Sequence, residues 1–332
     1  MIKLFQWRYL LSISLASFTL FQAEPIHAAI GTGPITCTQG SVGALAFGMV
    51  DPLSSQTSTS ATLNYECKGS ESNASARVCF TFGPLESTNT YREILGPDNS
   101  VMAFHLFSDP GLSHTITSTS PLQVTFTTEN NVEMSRSITV HAQTLANQTS
   151  LFPGSYSFAN QVFMTVNSVE GNNPPANCVT PVDGETSSTY KFTYASSASV
   201  NPHCSVTTTG SLDLGRVSAS TTSTSGFSAD LINVTCTNTT SYNIGLTPSN
   251  LDKNGAGVMS GTDDTFKLPY QLYLNSTGTT WGNNGNSYAS LTNGVKGTGD
   301  GTAQLHTVYV TVPNTDVKPD NYSDTVTIHV NY

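Results

Sequence analysis

The sequence predicts an all-β protein built from two tandem β-sandwiches. Two observations lead there. Short runs rich in β-branched and aromatic residues recur along the chain, separated by Gly, Pro, Asn and Asp, and no amphipathic helix stands out. A cysteine-and-glycine pattern near the start also returns past the middle, so the chain reads as two related units of roughly 150 residues each.

The first element is a targeting signal. Lys3 and Arg8 flank Tyr9 to Phe21, an uncharged apolar core too short to span a bilayer as an ordinary helix. The small residue Ala28 closes "PIHA", so residues 1–28 are expected to be removed and the mature chain to begin near Ala29. The strand signals of the first half are "ATLNYEC", "VCFTF", "MAFHLF", "SITVHA" and "QVFMTV". Those of the second half are "ADLINVTC", "YNIGL", "LPYQLYL", "HTVYVTV" and "DTVTIHVNY". Between the halves lies "KFTYASSASVNPHC", Lys191 to Cys204. In it Phe192, Tyr194, Ala198 and Val200 take alternate positions with Ser196 among them, the period of a strand with one buried face.

Charge narrows the class of partner. Only 10% of residues are charged and the formal net charge is -10. Loss of Lys3, Arg8 and Glu24 with the signal takes it to -11. An acidic, sparsely charged surface argues against nucleic acid or an anionic membrane as partner. All six cysteines lie after the signal, an even count that reads as three disulfides in a secreted chain.

The halves align. "CTQGSVGALAFGMV" (Cys37–Val50) matches "CSVTTTGSLDLGRV" (Cys204–Val217), with Gly43, Leu45, Gly48 and Val50 on Gly210, Leu212, Gly215 and Val217. The next cysteines, Cys67 and Cys236, follow at similar distance, each ending a strand. "FHLFSDPG" answers "YQLYLNSTG", and "FPGSYSFANQVFMTV" answers "KPDNYSDTVTIHV". Cys37 therefore pairs with Cys67 and Cys204 with Cys236. Cys79 and Cys178, without counterparts in the second half, pair with each other. Each bridge contributes roughly 2–4 kcal/mol.

The cysteine spacing, the Gly-x-Leu-x-x-Gly motif, "LPYQLYLN" followed by "WG", and the terminal "NYSDTVTIHVNY" resemble the spore coat protein U domain, which forms subunits of archaic (Csu-type) chaperone–usher pili. The resemblance covers nearly the whole mature chain as two copies, looser in the first, which lacks "WG" and has Cys79 and Cys178 in addition. It implies immunoglobulin-like sandwiches that lack one strand, filled by the N-terminal extension of a neighbouring subunit through β-strand addition. On this reading residues 29–189 are an adhesin domain, 190–203 a donor strand and linker, and 204–332 a pilin domain lacking one strand. Phe192, Tyr194, Ala198 and Val200 would fill the first domain from within the same chain. "AIGTGPIT" is too short and Gly-rich to serve as a donor, and nothing follows Tyr332 to close the second domain. The chain is thus expected to receive one strand and offer none, which places it at a pilus tip.

The resemblance also implies partners: a periplasmic chaperone, an outer-membrane usher, an adjacent pilus subunit, and an abiotic or host surface on which attachment builds biofilm. The route would be periplasm first, then the cell surface. Val326, Ile328, Val330 and Tyr332 alternate and would meet the chaperone. A sandwich without its strand would be marginal, its open edge prone to aggregation.

Strand order maps the loops near 68–76, 109–132 and 170–185 to the end of the first domain marked by Cys37–Cys67, with Cys79–Cys178 expected there too. Two of these loops are unusually apolar, through Leu112, Ile116 and Leu122 and through Pro174, Pro175, Val179, Pro181 and Val182. Similar tip adhesins bind hydrophobic surfaces through apolar finger loops, so Leu112, Ile116, Leu122, Val179, Pro181 and Val182 are the expected binding residues. A carbohydrate-binding adhesin is one rival; of aromatics in these loops only Phe126 could stack on a sugar. A secreted coat or matrix protein is another. No catalytic motif appears, so no enzyme activity, cofactor or metal is expected. "DKNGAG" (Asp252–Gly257) opens like a calcium loop but has Ala256 at the fifth position and no Glu at the twelfth.

Overall fold

The computed structural model describes residues 33–332 apart from 71, 72, 84–89, 130, 179, 180 and 264. The expected signal segment and Val179 lie outside the described residues. The chain is nearly all strand; its one helical piece among the described residues is a 3-10 turn at Pro97–Asn99.

The first sandwich contains β1 (Ile35–Val42), β2 (Leu45–Met49), β3 (Ser58–Gly69), β4 (Ala74–Phe82), β5 (Tyr91–Leu95), β6 (Val101–Phe107), β7 (Leu122–Thr128), β8 (Glu133–Thr144), β9 (Gly154–Glu170) and β10 (Thr186–Val200). One layer runs β1-β3-β8-β6-β5 and the other β7-β4-β9-β10-β2, joined at one corner where Leu95 faces Ser157. Alternation drives the pairing. In β3, Ala61, Leu63, Tyr65 and Cys67 point inward while their neighbours are exposed, as a strand with one wet face requires.

The second sandwich contains β11 (Cys204–Thr208), β12 (Thr224–Cys236), β13 (Ser241–Thr247), β14 (Ala256–Ser260), β15 (Lys267–Tyr273), β16 (Val295–Thr298), β17 (Ala303–Val312) and β18 (Thr327–Asn331). Its layers run β11-β12-β17-β15-β14 and β16-β13-β18. The first layer repeats β1-β3-β8-β6-β5 strand for strand. The second repeats β7-β4-β9 and stops, with no described strand where the first sandwich has β10 and β2. Each sandwich has its own apolar core.

The disulfides join Cys37 to Cys67, Cys204 to Cys236 and Cys79 to Cys178. The first two sit at equivalent places, each directly across an antiparallel pair with Cα atoms 4.0 Å apart. The third joins the expected cysteines, but not at the end of the domain marked by Cys37–Cys67. β4 begins at Ala74, so Cys79 is mid-strand. Cys79 faces away from the core, and the segment after β9 folds back to cover it. Arg77 Nε donates to Pro175 O at 2.5 Å, Asn167 Nδ2 to Asn177 O at 2.8 Å and Ser75 Oγ to Gly171 O at 2.5 Å. This strap explains why β4 is buried on both faces, and it holds Pro175 down instead of projecting it.

Candidate functional site

The site lies where the first sandwich has a strand that the second lacks among the described residues. β10 pairs with β9 antiparallel over its whole length without a register break, from Thr186 opposite Ser168 to Val200 opposite Gly154. Its other edge pairs with β2 in parallel, Ser196 opposite Leu45, and Val50 N donates to Ser199 O at 2.8 Å. Phe192, Tyr194, Ala198 and Val200 are all buried in the first core. Tyr194 meets the Phe82 ring edge-on at 5.6 Å. Burial pushes the Tyr194 phenol well above its ordinary pKa, an effect that nearby Arg92 opposes. Tyr190 and Ser196, not among the expected filling residues, are buried too. Asn160 Nδ2 donates to Ser196 Oγ at 2.7 Å, which in turn donates to Phe158 O at 3.3 Å. The strand starts at Thr186, ahead of the segment 190–203 assigned to it from sequence.

The second sandwich shows the same framework unfilled. β18 pairs with β13 along one edge. The segment matching β2 forms no strand, although its backbone is prepared alike: Gly215 has φ +66° and Gly48 has φ +68°, a left-handed conformation that suits glycine. In the first sandwich Leu45, Phe47 and Val50 are at most 5% exposed. Their counterparts Leu212 and Leu214 are half-buried, and Val217 is 43% exposed. Between this segment and β18 runs a groove of about 750 Å³. Leu246, Leu272, Val308 and Val310 from the second core form part of its lining, with Val326 and Ile328 along the β18 side. A groove that combines an open apolar core with an edge of β18 that pairs with no described strand fits one kind of ligand well, an extended peptide with alternating apolar side chains.

A family model for the Spore Coat Protein U domain matches residues 26–162 and 190–329. The chain belongs to the Spore Coat Protein U domain family. The first matched stretch ends within β9 and the second begins within β10, so each covers most of one sandwich. A comparison with curated proteins found no match. Among solved structures the chain is similar to the CsuC–CsuE chaperone–tip subunit pre-assembly complex of the archaic Csu pili of Acinetobacter baumannii (15% identity, TM-score 0.47, covering 89% of this chain and 100% of that one). It is also similar to the CupB6 tip adhesin of Pseudomonas aeruginosa (11% identity, TM-score 0.34, 91% and 96%) and to CfaE, the adhesive subunit of the CFA/I fimbria of enterotoxigenic Escherichia coli (11% identity, TM-score 0.32, 88% and 93%).

The loop residues expected to bind a surface separate into two groups. Ile116 and Leu122 are 1% and 5% exposed and belong to the first core, which corrects their assignment as surface-binding. The segment between β6 and β7 crosses from one layer to the other and covers the core as it goes; Ile116 N donates to Leu106 O at 2.8 Å. Part of the expected 109–132 loop is in fact β7, with Leu122 opposite Phe80 on β4. Phe126, the one aromatic suited to stacking on a sugar, is buried beneath the Arg136 guanidinium, 5.1 Å from its ring. Leu112 is half-buried, held at φ +55°. Pro181 and Val182 stay exposed, Val182 at 63%. Val182 sits on a closed turn: its N–H donates to Glu185 Oε2 at 3.1 Å and Glu185 N donates to Val182 O at 2.9 Å. Of the alternating set on the last strand, Val326, Ile328 and Val330 are half-buried and Tyr332 is 54% exposed.

Proposed function

We propose that this protein is a fimbrial tip adhesin whose first sandwich binds a surface and whose second accepts a donor strand from the next pilus subunit. The observation that carries the reading is internal to the chain: two sandwiches of one framework, one filled by β10 and the other open along a groove at the same place. Because β10 is consumed by the first sandwich, it is not free to enter a neighbour. The chain then acts as an acceptor, which suits the end of a polymer grown by strand donation. During transit the groove and the Val326, Ile328, Val330 and Tyr332 edge need cover, which a periplasmic chaperone would give before an outer-membrane usher hands the subunit on. Adhesion is assigned to Leu112, Pro181 and Val182, since an apolar residue on a rigid turn can dock on a hydrophobic abiotic or host surface at little entropic cost, and to Val179 from its place in the sequence. Surface attachment of this kind supports biofilm formation.

The test is surface binding by bacteria that display the pilus. Val182→Asp is expected to reduce attachment to polystyrene severalfold, with pilus number on the cell unchanged. Full attachment by that variant and by Leu112→Asp would contradict the adhesive assignment. A secreted coat or matrix role instead predicts protein at the surface without an assembled pilus.

A further inference from the structure

The groove has one polar feature that the filled sandwich lacks. Tyr322 OH donates to Lys318 O at 2.7 Å, just as Tyr156 OH donates to Phe152 O at 2.8 Å, so the two strand entries align at this tyrosine, and the next residues, Ser157 and Ser323, each bridge the last residue of an edge strand, Leu95 and Ser260. The pairing of Met164 with Phe80 and of Val330 with Ile244 keeps the same step. Phe158 then corresponds to Asp324 and Asn160 to Val326. In the first sandwich β10 puts Ser196 opposite Phe158 and Tyr194 opposite Asn160. A strand entering the groove in that register meets a carboxylate where β10 meets no charge.

Asp324 is held toward the groove. Tyr270, 6% exposed, donates its hydroxyl to Asp324 Oδ2 at 2.6 Å, and Asp324 Oδ1 accepts from Thr325 N at 2.8 Å. Asp213, Asp320 and Asp324 all line the groove against one cation, Lys318, whose Nζ lies over the Phe266 ring at 4.6 Å. An incoming strand would strip water from the Asp324 carboxylate, and a covered carboxylate is tolerated when a charge partner with donors replaces that water.

Resting on the donor-strand reading above, we propose that the strand filling the second sandwich carries a lysine or arginine opposite Asp324, with apolar residues two positions to either side. The first sandwich has the opposite preference. There Ser196 is committed to Asn160, for which the groove offers only Val326. A β10-like strand therefore suits its own sandwich better than the second one, which disfavours chains of this protein joining to one another.

The test uses the mature chain and labelled 15-residue peptides copied from Thr186–Val200, unchanged or with Ser196→Lys, Ser196→Leu or Ser196→Glu. Affinity is read by fluorescence anisotropy. The Lys peptide should bind about tenfold more tightly than the Leu peptide and the Glu peptide weakest. In the variant Asp324→Asn, which keeps an acceptor for Tyr270, the Lys advantage should vanish. Equal affinity of Lys and Leu peptides, or a Lys advantage unchanged in Asp324→Asn, overturns this inference and leaves the open groove standing. Failure of every peptide to bind overturns both.

Discussion

Ile116 and Val182 are both apolar residues in stretches that look like loops, yet one is core and the other is displayed. The sequence carries the residue type but not the direction of the side chain, and a crossing between layers turns Ile116 inward. Ile116→Ala should cost about 2–5 kcal/mol in chemical denaturation, as deletion from a packed site does. Val182→Ala should stay within about 0.5 kcal/mol. A second residue-level expectation concerns Asp109. Partial desolvation raises its carboxyl pKa, but the His114 amide, the Ser113 hydroxyl and amide, and the His114 ring outweigh this and bring it to about 2. A carboxyl lowered on folding stabilises above its ordinary value of 3.8, and that contribution disappears as pH falls through about 2. Carboxyl titration by NMR should place the Asp109 midpoint near 2; a midpoint near 4 would show that the Asp109–His114 turn is open in solution.

At the scale of elements, the strands with regular alternation were legible: β3, β6, β9, β12 and β17 contain the runs singled out from sequence, and β15 contains all but the last residue of its run. The short edge strands β5, β14 and β16 were not, because four or five residues carry too little periodicity to stand out. The position of β10 was legible from its alternation and its place between the repeats. Its partnership with Asn160 was not, because a serine on the buried face looks like an interruption until the facing strand is known. The two sandwiches also predict different responses to the same kind of truncation. Phe192→Ala in the filled sandwich should cost about 3–5 kcal/mol. Ile328→Ala, on the half-buried bank of the open groove, should cost clearly less in the bare chain. Its cost should rise once a donor strand is supplied. Equal costs in the bare chain, measured by urea unfolding of each variant, would mean that the groove is already packed.

For the molecule as a whole, repetition is the informative property. The aligned Gly-x-Leu-x-x-Gly segments predicted related units, and the structure adds that one half serves as the filled reference for the other. The missing strand could be anticipated from the family resemblance, whereas the acidic character of the groove could not. Asp213, Asp320 and Asp324 are spread over more than a hundred residues and converge only in the fold. The same holds for the strap over β4, where a distant cysteine covers a face that the sequence leaves looking exposed. The measurement that bears most directly on the central claim is the thermal unfolding of two forms of the mature chain. One is unaltered; the other carries, after Tyr332 and a flexible linker, a copy of Lys191–Val200. The open-groove account predicts that the added strand raises the melting temperature of the second sandwich by several degrees or more and suppresses aggregation, while the first sandwich melts as before. Identical melting of both forms, with the unaltered chain a stable monomer, would contradict it.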